Sequence, residues 1–218
     1  MDLNDPITTV VPTLEGRVLQ VLARTDLPLS GSRVASLIPS ASNAGVRVAL
    51  GRLVDGGIVM TEAAPPAVLY VANRRHLLWD AVERLVRATD GAVGALAARL
   101  AAVVRDVLGE PEASATTLAL FGSTARGDNR PGSDIDLLLV HSDAVGATEQ
   151  ADRLVSSLIE EAQAATGNET NVYAASRGRI DRLIEERDPM VESWVADARP
   201  LFGPDVLRRL RGGSWPAS

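Results

Sequence analysis

The chain contains no cysteine and no lysine. Without cysteine there are no disulfides and no thiolate metal sites. Without lysine, every mechanism that needs a catalytic lysine is excluded, and all 22 basic residues are Arg. Aromatic residues make up only 3% of the chain, which argues against an aromatic platform for stacking single-stranded bases. No apolar run approaches the roughly 20 residues that cross a bilayer. The first residues, Met1-Asp2-Leu3-Asn4-Asp5, are acidic rather than signal-like. A cytoplasmic protein with no membrane partner is the expectation. Histidine is also scarce: His76 and His141 are the only two, too few and too far apart in sequence for a His-metal site. No Ser-His-Asp arrangement and no Walker-type loop is present.

What remains is a folding composition, with 46% hydrophobic and 23% charged residues over 218 positions. That length holds one large domain or two small ones, each with its own core. The net charge of −6 hides an asymmetry. Leu14 to His76 carries seven Arg against four acidic residues, a net of +3. From Leu77 onward there are 15 Arg against 22 acidic residues, a net of −7. A mildly basic front and an acidic back imply two modules with different partners. We place the front module at 1–76, a connector at 77–110 and the back module at 111–218.

In the front module, Leu14, Val18, Leu19, Val21 and Leu22 have helical spacing over Thr13 to Arg24. Ser30 or Ser32 can cap a second short helix, Arg33 to Ile38, and Ser42-Asn43 a third that ends at Gly56-Gly57. Ile58-Val59-Met60 and Val68-Leu69-Tyr70-Val71 then form a β-hairpin around Glu62 to Pro66. This order resembles a winged helix-turn-helix, in which the third helix enters the DNA major groove and the hairpin is the wing. The resemblance implies double-stranded DNA as partner and Ser42, Asn43, Arg47 and Arg52 as its contacts. The plainer reading is that Arg47 and Arg52 are solvated charges on an interaction or dimerisation module. The long apolar stripe of Leu77 to Leu108, interrupted at Thr89-Asp90-Gly91, exceeds what a tether needs. It fits packing on one module or on a second copy, so a homodimer is expected.

Behind it the pattern gives a strand (Ser114 to Phe121), a short helix (Ser123 to Asp128) and a strand (Asp134 to Val140). A helix (Ala147 to Thr166), a strand (Glu169 to Ala175) and helices Arg179 to Glu186 and Met190 to Ala198 follow. That is an α/β layer arrangement. The tail from Arg208 onward reads as frayed.

The informative stretch is Phe121 to Val140. Side chains alternate faces along a strand, so Asp134 and Asp136 project to the same side and can share divalent cations. Hard cations such as Mg²⁺ take carboxylate oxygens together with substrate phosphates. Gly122-Ser123 lies where a strand gives way to a helix, where free N–H groups favour phosphate and glycine permits close approach. Gly122-Ser123 followed by Asp134-Ile135-Asp136, with Ala125-Arg126-Gly127 and Ser133 between, resembles the polymerase-β-like nucleotidyltransferase superfamily, particularly its minimal members.

The resemblance covers roughly Ala113 to Gly203. It implies a small nucleotidyltransferase fold with a mixed sheet, a triphosphate held by Gly122 and Ser123, and Mg²⁺ or Mn²⁺ held by Asp134 and Asp136. Arg126, one turn along the helix, can reach the triphosphate. Fully active members carry a third carboxylate on the next strand, and here that slot holds Asn171. An amide cannot act as general base. Glu169, two residues earlier and facing the same way, is the candidate to replace the missing charge. Two functions follow. One is an enzyme that transfers a nucleoside monophosphate from an NTP to an acceptor hydroxyl. The other is a catalytically weak or inactive DNA-binding regulator, or a toxin–antitoxin component, that uses the same fold to bind nucleotide or a partner.

Overall fold

Asp5–Ala92 forms one compact unit, and Met1–Asn4 together with Val93–Ser218 forms the other. The chain thus enters the second unit with four residues, leaves it, and returns at Val93. The connector expected over 77–110 is divided at Ala92, each part packing with its own unit. The computed structural model describes residues 1–128, 132–146 and 148–215. Ala147, the expected start of a helix, lies outside them, as do Asn129, Arg130, Pro131 and the last three residues.

The first unit contains α1 (Ile7–Val10), α2 (Leu14–Ala23), β1 (Leu29–Ser30), α3 (Gly31–Ser36), α4 (Asn43–Asp55), β2 (Val59–Ala64), β3 (Ala67–Ala72) and α5 (Trp79–Asp90). The capping serines do what their position suggests. Ser30 accepts from the Arg33 N–H and Ser42 from the Gly45 N–H, each closing an otherwise open helix start. The helices bury Val18, Leu22, Val34, Val46 and Leu50 in one core with Val59, Ala72 and Trp79. The hairpin β2–β3 is antiparallel, and β1, which periodicity did not reveal, adds a third strand beside β3.

The second unit contains α6 (Ala92–Leu108), α7 (Glu110–Ser114), β4 (Thr117–Phe121), α8 (Gly122–Arg126), β5 (Ile135–His141), α9 (Glu149–Thr166), β6 (Thr170–Ser176), α10 (Arg177–Glu185), α11 (Pro189–Asp197), β7 (Arg199–Phe202) and α12 (Val206–Leu210). Its sheet runs β6-β5-β4-β7, with β5 and β6 parallel and the other pairs antiparallel. The protein is therefore mixed α/β, with 12 helices and two sheets among the described residues.

The unbroken apolar run of β5 follows from burial on both faces. Ile135, Leu137 and Leu139 pack with Leu154 and Leu158 of α9 and Leu100 and Val104 of α6. Leu138 and Val140 pack on the other face with Ile180, Val191, Trp194 and Val206. The described part of the tail expected to fray, Arg208 to Trp215, is instead tied down. Trp215 donates its indole N–H to Asp181, which also pairs with Arg209 at 2.7 Å.

Candidate active site

The register of the central strands assembles the site. Asp136 stands opposite Phe121 of β4 on one side and Asn171 of β6 on the other. Asp134 lies two residues before Asp136, just ahead of β5, and alternation returns it to the same face. The Asn171 amide donates to Asp136 Oδ1 at 3.2 Å and to Asp134 Oδ2 at 3.4 Å. Both carboxylates therefore lie within 3.4 Å of one nitrogen atom, close enough to share an ion.

The turn from β4 into α8 lies against the same group. Gly122 has φ +72°, a left-handed conformation that glycine adopts at little cost. A Cβ built on Gly122 would stand 2.5 Å from Asp136 Oδ2, so only glycine lets the bend approach the carboxylate. Ser123 is the second residue of α8, half-buried. The α8 N-terminus has no side-chain cap, which leaves its first backbone N–H groups without that partner.

These residues suit one oxygen-ligated divalent cation. Two carboxylates converge on the Asn171 amide nitrogen, which donates to both. Half a turn about the side-chain torsion exchanges that N–H for the amide oxygen, a third hard donor. Among the described residues no three His, Cys, Asp or Glu side chains converge on a metal position. Glu169 is exposed, and its carboxylate does not join the aspartates. Its backbone carbonyl accepts from the Ile135 N–H at 2.8 Å, so Glu169 sits where β5 and β6 begin.

Arg126 is engaged elsewhere. Its guanidinium reaches Asp197 of α11 at 2.5 Å and Asp128 at 3.1 Å. The Asp197 contact, then that of Asp128, holds this group even more firmly protonated than an ordinary Arg. Contact with a phosphate would require it to leave those partners. Arg177 and Arg179 follow β6 at its far end, some 20 Å from Asn171 at strand rise. There Arg177 donates to the Ala115 carbonyl and covers the Trp215 ring. His141, at the far end of β5, is buried and in contact with the Ser142 carbonyl.

In the first unit, Asn43 and Arg47 are exposed on α4, while the Ser42 hydroxyl is occupied as its cap. Arg52 is ion-paired with Glu15 at 2.9 Å. The Glu15 carboxyl is held below its usual range by the Thr13 hydroxyl first and by Arg52 second. Sequence reasoning passed over two residues beside the aspartates, Thr124 and Asn168. Thr124 Oγ1 donates to the Asp134 carbonyl at 3.1 Å, and Asn168 Nδ2 donates to the Ser133 carbonyl at 2.7 Å. Nothing in a Gly-Asn turn or a threonine inside a short helix signals such a bond.

Residues 103–194 match the nucleotidyltransferase domain family. The match runs from α6 to α11 and contains every residue of the aspartate site. No curated protein matches the chain. Two solved structures show likeness. A toxin–antitoxin structure with AMP-PNP is 16% identical, covering 52% of this chain and 78% of that one, with a TM-score of 0.35. The archaeal chromatin protein TrmBL2, described as showing a novel mode of DNA binding, is 14% identical, covering 84% of this chain and 68% of that one, with a TM-score of 0.25.

Proposed function

We propose that the protein transfers a nucleoside monophosphate from an NTP to an acceptor hydroxyl. The acceptor oxygen bonds to the α-phosphorus, the bond to the β-phosphate bridging oxygen breaks, and pyrophosphate leaves. The observation that supports this most is the placement of both aspartate carboxylates within reach of one Asn171 nitrogen, with Gly122 against Asp136. Asp134 and Asp136 are the residues that hold Mg²⁺ or Mn²⁺. Such a cation, when bound, neutralises charge on the attacking and leaving oxygens. Gly122 and Ser123 receive the β- and γ-phosphates through backbone N–H groups and the serine hydroxyl. Arg126 is the nearby cation that can add to phosphate binding once freed from Asp197. Glu169 is the acid–base candidate at the rim, because Asn171 can position but cannot take a proton.

The unit that precedes the site is assigned as a winged helix-turn-helix that binds double-stranded DNA, with Ser42 and Asn43 at the N-terminal end of α4 and Arg47 and Arg52 along it as the contacts. The whole acts in the cytoplasm as a homodimer. The second reading is favoured by Asn171 itself: a regulator or toxin–antitoxin component that binds nucleotide without turning it over. Incubation with Mg²⁺ or Mn²⁺ and each radiolabelled NTP, with cell extract supplying acceptors, separates the two. Transferred label that disappears in Asp134→Ala/Asp136→Ala supports the enzyme. Nucleotide binding without transfer, together with retention of the DNA upstream of the protein's own coding sequence, supports the regulator.

A further inference from the structure

The two peptide carbonyls that flank the Asp134 side chain are each held by a buried polar side chain. Thr124, 4% exposed, donates its hydroxyl to the Asp134 carbonyl at 3.1 Å. Asn168, also 4% exposed, donates to the Ser133 carbonyl at 2.7 Å. Asp134 itself lies outside the β5 ladder, which begins at Ile135. Strand pairing flanks Asp136 on both sides but reaches Asp134 only through the neighbouring Ile135. The Asp134 backbone is held by these two side chains together with the bond from the Ile135 N–H, in the same peptide group as the Asp134 carbonyl, to the Glu169 carbonyl at 2.8 Å.

Each clamp is itself anchored. Asn168 uses its second amide N–H on the Met1 carbonyl at 3.0 Å, and its Oδ1 accepts from the Met1 nitrogen. The Asn168 N–H is in turn bonded to Thr166 Oγ1 at 3.2 Å, which locks the turn out of α9. On the other side, the Asn4 amide donates to the Thr124 carbonyl at 3.1 Å. The short segment Met1–Asn4, with Leu3 buried in the core beneath, thus braces both clamps. A carboxamide with every hydrogen-bonding group occupied is rigid in a dry environment.

We propose that Thr124 and Asn168 are the positioning residues of the aspartate site, holding the Asp134 carboxylate beside Asp136 so that both face one cation. The inference rests on the metal-binding reading given above. Groups behind metal ligands typically change affinity 10–100-fold when lost. Thr124→Val removes the hydroxyl and keeps the shape, while Thr124→Ser keeps the hydroxyl. Mn²⁺ alone is titrated into the full chain, with thermal melting as the check on folding and amide exchange of Ile135–Leu137 as a second readout.

The expected result is Mn²⁺ affinity about tenfold weaker in Thr124→Val and in Asn168→Ala, with Thr124→Ser equal to wild type. Wild-type affinity in a folded Thr124→Val protein overturns the proposal. If wild type itself takes no Mn²⁺, the metal reading fails and exchange alone decides. Faster exchange at Ile135–Leu137 in Thr124→Val and Asn168→Ala, absent from Thr124→Ser, then supports the clamp. Unchanged protection overturns it; if Asn168→Ala does not fold, Thr124→Val against Thr124→Ser decides, and if Thr124→Val does not fold, Asn168→Ala against wild type decides.

Discussion

The Asp136 carboxylate fills the space that a side chain at Gly122 would need: a Cβ on the glycine would stand 2.5 Å from the aspartate's Oδ2. The same glycine sits at φ +72°, so an alanine there meets strain and collision together. Gly122→Ala is expected to lower stability by about 1–2 kcal/mol from the left-handed backbone and to weaken Mn²⁺-dependent NTP binding as Asp136 is displaced. Urea unfolding and nucleotide titration measure the two effects separately. A variant that binds nucleotide normally would remove Gly122 from the site.

Asn171 supplies an amide where an active member of the resembled superfamily has a carboxylate. Asn171→Asp restores the missing charge next to Asp134 and Asp136. A positioned general base contributes typically 10²–10⁴-fold, so the label-transfer rate is expected to rise on the order of 100-fold. Without metal the variant loses the amide donor and gains like-charge repulsion, so its melting temperature falls and recovers on addition of Mn²⁺. A rate unchanged from wild type would show that the acid–base group lies elsewhere, and Glu169→Gln then identifies whether it is Glu169.

How much of this was legible beforehand differs by element. The aspartate pair follows from strand alternation, and the Asn171 slot from the superfamily resemblance; β5 and β6 meet with Asp136 opposite Asn171. Strand β7 leaves no alternating apolar signal in the sequence, since its four residues begin with Arg199 and Pro200. A proline is tolerated at a sheet edge, where its missing N–H goes unused. The sequence reads the tail as frayed because its anchoring contacts, such as Trp215 and Arg209 on Asp181, are long-range and leave no periodic trace. Arg126 reads as a phosphate ligand from spacing alone; only the fold brings Asp197 to it. Asn168 lay in a Gly-Asn turn, and its burial depends on Met1 and Ser133, distant in sequence.

Arg47 and Arg52 of α4 separate in their electrostatics. Arg52 is paired with Glu15, whereas Arg47 is exposed with no acidic partner among the described residues. A phosphate-contacting cation contributes about one to the slope of log affinity against log salt. Arg47→Ala is expected to reduce that slope by about one on double-stranded DNA, and Arg52→Ala by less. Fluorescence anisotropy across a salt series checks this. Salt slopes unchanged in both variants would assign α4 to a protein partner.

Asp143 accepts hydrogen bonds from the Ser176 hydroxyl and from the Gly178 N–H at 3.1 Å, and these hold its carboxyl below the ordinary value of 3.8. A depressed folded-state value means the stabilisation is present above the unfolded value and fades as pH falls through the folded one. Asp143→Asn is therefore expected to be less stable than wild type at neutral pH. The difference should shrink below about pH 4, where the unfolded carboxyl is protonated. Because Asp143 is exposed, the effect is small. Urea midpoints from pH 7 to pH 3 measure it, and a gap that widens toward acid contradicts the assignment.

The most direct measurement is calorimetric titration of a non-hydrolysable NTP into the protein with and without Mn²⁺, in wild type and in Asp134→Ala/Asp136→Ala. Nucleotide binding that requires Mn²⁺ and vanishes in the double variant is the expected result. Equal binding without the metal, or equal binding in the folded double variant, would contradict the assignment of Asp134 and Asp136 to a cation-bridged triphosphate.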